Sequence, residues 1–172
     1  MNSLSKNLES CSSTATQEKQ CTSLLKCGCP NSTTLPVLSA DIVSTRSYTL
    51  ATLNLDTTCI CNPKVKLDFA ANFVATLAYT GSLNVQVYKQ CRNQLTPTPV
   101  GPAWSFNFVS LVASETFSFF VCDSDSCGGG ECCTYSAVVD VVSPITIGTL
   151  NINNATLAAT VVCGNNPCGT VC

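Results

Sequence analysis

A chain of 172 residues with 45% hydrophobic but only 10% charged side chains and a formal net charge of -2 is long enough for one hydrophobic core and short for two domains. Eight Lys and Arg with no basic run exclude the electrostatic footprint of a nucleic-acid binder, and no apolar run reaches the roughly 20 residues of a membrane-spanning helix. The absence of His removes the commonest general base, metal ligand and pH switch together. With so few charges the surface falls to Ser, Thr, Asn and Gln, and such a surface does not repel copies of itself.

In chain order, residues 1–34 are polar, without sustained apolar period, and read as an extended arm. The segment Met1-Asn2-Ser3-Leu4-Ser5-Lys6-Asn7 has no apolar stretch of signal-peptide type, so synthesis in a cytosol is expected. From residue 35 to 163 short β-rich runs alternate with turn residues, the pattern of a sandwich. Pro36 to Ser44 and Tyr48 to Asp56 are predicted as the first strand pair. Val65, Leu67 and Phe69 alternate with Lys64, Lys66 and Asp68 as in a half-buried strand. Phe73 to Thr80 follows, with Gly81-Ser82 as a hairpin turn into Leu83, Val85 and Val87. Pro97, Pro99 and Pro102 make residues 96–102 a loop and exclude a central strand there. Trp104, Phe106 and Phe108 alternate with Ser105 and Asn107 and are assigned, with Thr116 to Cys122, to an aromatic core. After a Gly-rich turn from Asp123 to Glu131, Tyr135, Ala137, Val139 and Val141 alternate again, and Ile145 to Ile152 and Ala155 to Cys163 are predicted as the last two strands. The fold class is therefore all-β: an antiparallel, jelly-roll-like sandwich of about 8–10 strands, with a Cys-bearing arm before it and a Cys-rich tail at 164–172.

Fourteen Cys approach the roughly 8–10% at which a short chain is read as a disulfide scaffold. A domain of this size folds without staples, so part of the set needs another use. The cysteines fall at predicted ends and loops, not in strand interiors, which argues for exposed, bond-forming sulfurs. Twenty extended residues reach about 65 Å, beyond the width of the domain, so Cys11 and Cys21 on the arm are candidates for bonds to another copy, and Cys168 and Cys172 on the tail are candidates for the same role from the other end. Cys27, Cys29, Cys59, Cys61, Cys91, Cys122, Cys127, Cys132, Cys133 and Cys163 are candidates for internal disulfides or for accepting a neighbour's arm. In Cys27-Gly28-Cys29 and Cys59-Ile60-Cys61 the sulfurs are poorly placed to pair with each other in extended chain. Paired C-x-x-C knuckles are lacking, so neither zinc nor any cofactor is expected.

Four weaker patterns have ordinary explanations. Asp123-Ser124-Asp125-Ser126-Cys127-Gly128-Gly129-Gly130-Glu131 has alternating carboxylates but not the ligand spacing of a calcium loop, and reads as a solvated turn. Its glycines lead into no Gly-Lys-Ser/Thr and so cradle no phosphate. Asn31-Ser32-Thr33 and Asn154-Ala155-Thr156 match the glycosylation pattern, a chance match without a secretory route. No nucleophile or acid–base constellation is present, so no enzyme is expected.

Leu25-Lys26-Cys27-Gly28-Cys29-Pro30 leading into Leu35-Pro36-Val37, with Cys59-Ile60-Cys61-Asn62-Pro63, resembles a bacterial domain of unknown function from spore-forming clostridia, over residues 24–163. In layout the chain also resembles the subunits of bacillus endospore appendages, β-sandwiches whose Cys-bearing arms bond neighbouring subunits along a fibre. That resemblance implies the arm role for Cys11 and Cys21, and a homopolymer of this chain at the spore surface, alone or with other spore-surface proteins. It also implies release by mother-cell lysis, not secretion. The alternative from another class is a monomeric disulfide-rich module that binds a glycan, protein or metal.

Overall fold

In the computed structural model, residues 23–35, 46–58, 60, 62–76, 79–92, 94–110, 113–124, 132–141 and 149–164 are described. They form nine strands: β1 (Leu24–Cys27), β2 (Asn31–Leu35), β3 (Arg46–Asp56), β4 (Pro63–Thr76), β5 (Tyr79–Cys91), β6 (Thr98–Ser110), β7 (Ala113–Asp123), β8 (Cys132–Val141) and β9 (Thr149–Cys163). Among these residues no helix is long and apolar enough to cross a membrane. The predicted strand Pro36 to Ser44, and Cys11, Cys21, Cys59, Cys61, Cys127, Cys168 and Cys172, lie outside the described residues.

Period-two patterning decides the layers. Along β8, Cys133, Tyr135, Ala137, Val139 and Val141 are buried while the residues between them face outward, as a strand with one wet face requires. Antiparallel pairs β2–β9, β3–β8, β4–β7 and β5–β6 are nested inside one another. The pairs β4–β9 and β5–β8 complete two sheets, one ordered β1/β2-β9-β4-β7 and the other β3-β8-β5-β6. This folded-over hairpin is the jelly roll; β1 extends the edge begun by β2 along the same partner, β9.

Both sheets turn their apolar faces inward. Phe73 is completely buried and its ring lies 5.4 Å from Phe117 and 5.3 Å from Phe106, while Phe69 contacts Phe119 at 5.2 Å. These offset and edge contacts suit the aromatic quadrupoles and join the β4–β7 layer to β6. Trp104 does not join the buried set as expected: it is 40% exposed and stacks on Phe119 at 5.5 Å. It stands on an edge strand, at the seam where β6 runs beside β7, so only one face of its ring finds the core.

Several predicted boundaries shift. Residues 24–27 and 31–34, assigned to the arm, belong to strands hydrogen-bonded along β9; as short edge strands they bury little side chain before Leu35, so no apolar period marks them. Gly81-Ser82 is not a turn but lies inside β5, and β4 and β5 belong to different sheets; the chain crosses the sandwich between them. Phe73 continues β4 without a break. Residues 98–102 belong to β6, where Pro99 and Pro102 are accommodated because β6 is an edge. Here β6 bulges opposite Gln86, Gly101 takes φ +68°, and the Gln86 amide donates to the Val100 and Gly101 carbonyls at 3.2 and 3.1 Å. The last two predicted strands are one strand, β9, with a bulge at which Asn154 has φ 56°. Its polar, turn-prone residues are what a bulge tolerates.

Gly28, between β1 and β2, closes the other seam. Its amide donates to Leu157 O at 2.9 Å, and a Cβ there would lie 2.9 Å from that oxygen and 3.1 Å from Thr52 O on β3. Only a residue without a side chain lets the β1–β2 link wedge between β9 and β3.

Candidate functional site

Strand polarity gathers the cysteines. Leu55 at the end of β3 faces Cys133 near the start of β8, which faces Cys91 at the end of β5. In the other sheet Pro63 opens β4 beside Cys163, the last residue of β9, and Val65 pairs with Asp123 at the end of β7. The two sets of ends belong to one end of the sandwich, because Asp123 reaches across the core to Lys89 of β5 and Tyr135 of β8. Cys91, Cys122, Cys132, Cys133 and Cys163 therefore share that end. Cys27 instead lies opposite Ala158 on the lateral edge, with Cys29 beside it.

Cys91 and Cys133 form a disulfide across the β5–β8 ladder, both sulfurs on the inward face. Cys163 is also disulfide-bonded. Cys27, Cys29, Cys122 and Cys132 are free thiols, all exposed. Cys122 and Cys132 face outward for a positional reason: each is next in sequence to an inward residue, Asp123 and Cys133, so the pleat turns it to solvent on the opposite sheet's outer surface. The sandwich stands between them.

The polar core beneath this end is a group that sequence inspection missed. Lys89 Nζ lies 2.8 Å from Asp123 Oδ2, and the Tyr135 hydroxyl donates to the same oxygen at 2.7 Å; Lys89 and Asp123 are each 6% exposed. The signal was present: Lys89 keeps the inward phase of Leu83, Val85 and Val87 despite the local bulge, and Asp123 keeps that of Phe119 and Val121. A charge on the apolar phase of two strands announces a buried pair. Asp123 is thereby withdrawn from the loop in which it stood as the first carboxylate of a calcium-like pattern. Among the described residues no group of three or more Cys, Asp or Glu is arranged to hold a metal ion.

Cys132 has a polar neighbour in Asp56, its cross-strand partner. The Thr58 hydroxyl and the Thr58 amide, the latter at 3.0 Å, donate to the Asp56 carboxylate. Those bonds, then the Cys132 thiol and the nearby Lys26 charge, hold its carboxyl below the usual carboxylate range. Folded-state bonding that favours the ionised form contributes at neutral pH and is lost as pH falls through the depressed folded pKa. In an NMR titration Asp56 should protonate at lower pH than a free aspartate, and Thr58→Ala should move its midpoint upward; an unchanged midpoint would contradict this arrangement.

Asn31 and Asn154, the two glycosylation-pattern residues, lie in strands: the Asn31 amide donates to Leu50 O at 3.1 Å, and Asn154 forms the β9 bulge.

A jelly-roll β-sandwich stapled across one sheet by a disulfide, with free thiols on both outer faces, is the class that this geometry defines. The chain belongs to the family described as Domain of unknown function (DUF4489), whose profile matches residues 21–162. No curated protein matches it. Among solved structures it is similar to a chain of infectious bursal disease virus, Gx strain, with 13% identity and TM-score 0.50, covering 86% of this chain and 33% of that one. It is also similar to CBM28, a carbohydrate-binding module specific for non-crystalline cellulose, with 14% identity and TM-score 0.37, covering 69% of this chain and 78% of the module. The chain thus spans one third of the viral chain, and at that identity the likeness is one of fold.

Proposed function

We propose that this protein is a non-enzymatic structural subunit that assembles with copies of itself into an extracellular, spore-surface fibre or layer, locked by disulfides between subunits. The observation that carries the reading is the four exposed free thiols, Cys27, Cys29, Cys122 and Cys132, on a sandwich whose inward sulfurs, Cys91 and Cys133, are already bonded to each other. Cys27 and Cys122 share one outer face but sit on its opposite edge strands, with β9 and β4 between. Three strand spacings, roughly 14 Å, separate those edges, far more than a disulfide spans. Each of these two sulfurs is available to another chain.

The covalent step joins two thiols, which give up two protons and two electrons. A low-molecular-weight disulfide in the medium accepts them and is reduced to two thiols. Synthesis in a mother-cell cytosol keeps the cysteines reduced, and lysis then delivers folded subunits to the oxidant. Cys11 and Cys21 on the arm, and Cys168 and Cys172 on the tail, supply the reach, and the exposed thiols are acceptors. Copies of the chain are the principal partners, and other spore-surface proteins are secondary ones.

On a denaturing gel without reductant, purified protein should run as a ladder of high-order species that collapses to monomer when reductant is added. Deleting residues 1–22 leaves all nine strands in place and should remove most of the ladder. Changing Cys11 and Cys21 to Ser in the full chain should do the same, because reach without thiols makes no bond. A wild-type protein that is monomeric on that gel and monodisperse in solution would refute assembly.

A further inference from the structure

The outer face of the β3-β8-β5-β6 sheet carries a groove of about 360 Å³ whose chemistry is unrelated to the cysteines. It follows β8, flanked by β3 and β5, between two ladder irregularities: β3 carries an extra residue between Thr49 and Ala51, and β6 bulges opposite Gln86. A bulge bends its strand and increases the local twist, so the ladders on either side of the regular β5–β8 pairing are irregular at this level.

Its lining is hydroxyl-rich and apolar in turn. Thr49 on one wall, Ser136 on the floor and Tyr88 on the other wall bring hydroxyl-bearing side chains to one space, and none of the three makes a side-chain hydrogen bond among the described residues. The Tyr88 ring, Val138 and Pro97 provide apolar patches between them. Gln90 adds an amide, its nitrogen already donating to Gln94 O, which leaves an acceptor oxygen. Asp140 is the one charged residue of the lining, and Ser47 already donates to its carboxylate.

Each feature selects. Without a Lys or Arg in the lining, a phosphate or carboxylate would be desolvated beside Asp140 with no cation to compensate. A purely apolar ligand would leave three hydroxyls and an amide oxygen unpaired. A ligand that carries neutral hydroxyls at its rim and C–H surface on its faces satisfies both sets, with the tyrosine ring as its platform. From Thr134 to Asp140 the floor runs six residues, roughly 20 Å, which suits an extended chain better than a single ring. We infer that this groove is a binding site for a neutral linear oligosaccharide, independent of whether the subunit polymerises.

The test is an NMR titration of the full chain with Cys11 and Cys21 changed to Ser and the Cys91–Cys133 bond left intact, using cellotetraose and chitotetraose, and inorganic polyphosphate as the charged comparison. Either neutral sugar should shift the amide resonances of Thr49, Tyr88 and Ser136 in a saturable way, and polyphosphate should leave them unmoved. Tyr88→Ala should weaken the sugar about tenfold, the effect of losing one aromatic contact. Ser136→Leu, which fills the floor without changing charge, should abolish it in a protein of unchanged circular dichroism. The inference fails if neither sugar perturbs these residues at about 10 mM, a concentration that detects dissociation constants into the millimolar range. It fails equally if polyphosphate alone binds there, or if both variants bind the sugar as the wild type does.

Discussion

Asp123→Ala is expected to destabilise the sandwich by about 3–5 kcal/mol, the cost of breaking a buried ion pair by removing one member. Lys89, 6% exposed, would lose the carboxylate 2.8 Å from its ammonium, and the Tyr135 hydroxyl would lose the Asp123 oxygen to which it donates. Because Asp123 is on β7, at the edge of one sheet, and Lys89 and Tyr135 are on neighbouring strands of the other, the damage is to the registry of sheet on sheet. Urea unfolding should show the loss as a lower midpoint with little change in slope. The pair itself is not expected to be a net source of stability. Replacing both charges, Lys89→Met with Asp123→Leu, should recover most of the loss, since a buried ion pair often does no better than apolar side chains of similar size. A loss under about 1 kcal/mol for Asp123→Ala, within the reach of an ordinary surface pair, would show that water reaches this cluster.

Removing the Cys91–Cys133 bond by changing both residues to Ser should cost about 4 kcal/mol, from the chain-entropy relation for a separation of 42 residues. Cys91 and Cys133 are 2% and 8% exposed, so the two hydroxyls would also enter an apolar site. Reductant should cost the wild type at least as much, slowly because the bond is shielded from solvent thiols, since it also opens the bond of Cys163. Lys89 and Tyr135 are a cross-strand pair two residues from Cys91 and Cys133. Losing the staple frays the strand ends that hold the ion pair, so combining this change with Asp123→Ala should cost less than the sum of the two. Thermal unfolding in the absence of reductant, with and without the bond, measures the staple. A difference below about 1 kcal/mol, far under the range for native disulfides, would mean that the β5–β8 ladder alone holds this end.

Much of the fold was legible because strand burial writes itself as a period of two. Val65, Leu67 and Phe69, and Tyr135, Ala137, Val139 and Val141, occupy the inward positions that alternation assigned them. The strands whose limits were misjudged are those with weak or interrupted alternation. β1 and β2 lie on an edge and are only four and five residues long, too short to show an apolar period, and most of their side chains stay exposed. β9 was divided at Asn154 because a bulge and a turn draw on the same residue types. Gly81 looked like a turn because a glycine between β-rich runs carries no information about which sheet the next strand joins.

Sequence by itself determined the class of this protein. Low charge, absent His, alternating apolar positions and cysteines near predicted strand ends follow from residue types and local spacing, and these suffice for an all-β sandwich with a cysteine-bearing surface. Tertiary structure alone decided which residues met. Lys89 and Asp123 are 34 positions apart by numbering, Cys91 and Cys133 are 42 apart, and β2 finds β9 across nearly the whole chain. The three hydroxyls of the groove come from three strands. Pairing of that kind is set by how nested hairpins fold over one another, and a local pattern cannot encode it, because every strand with one buried face looks alike until its neighbour is chosen.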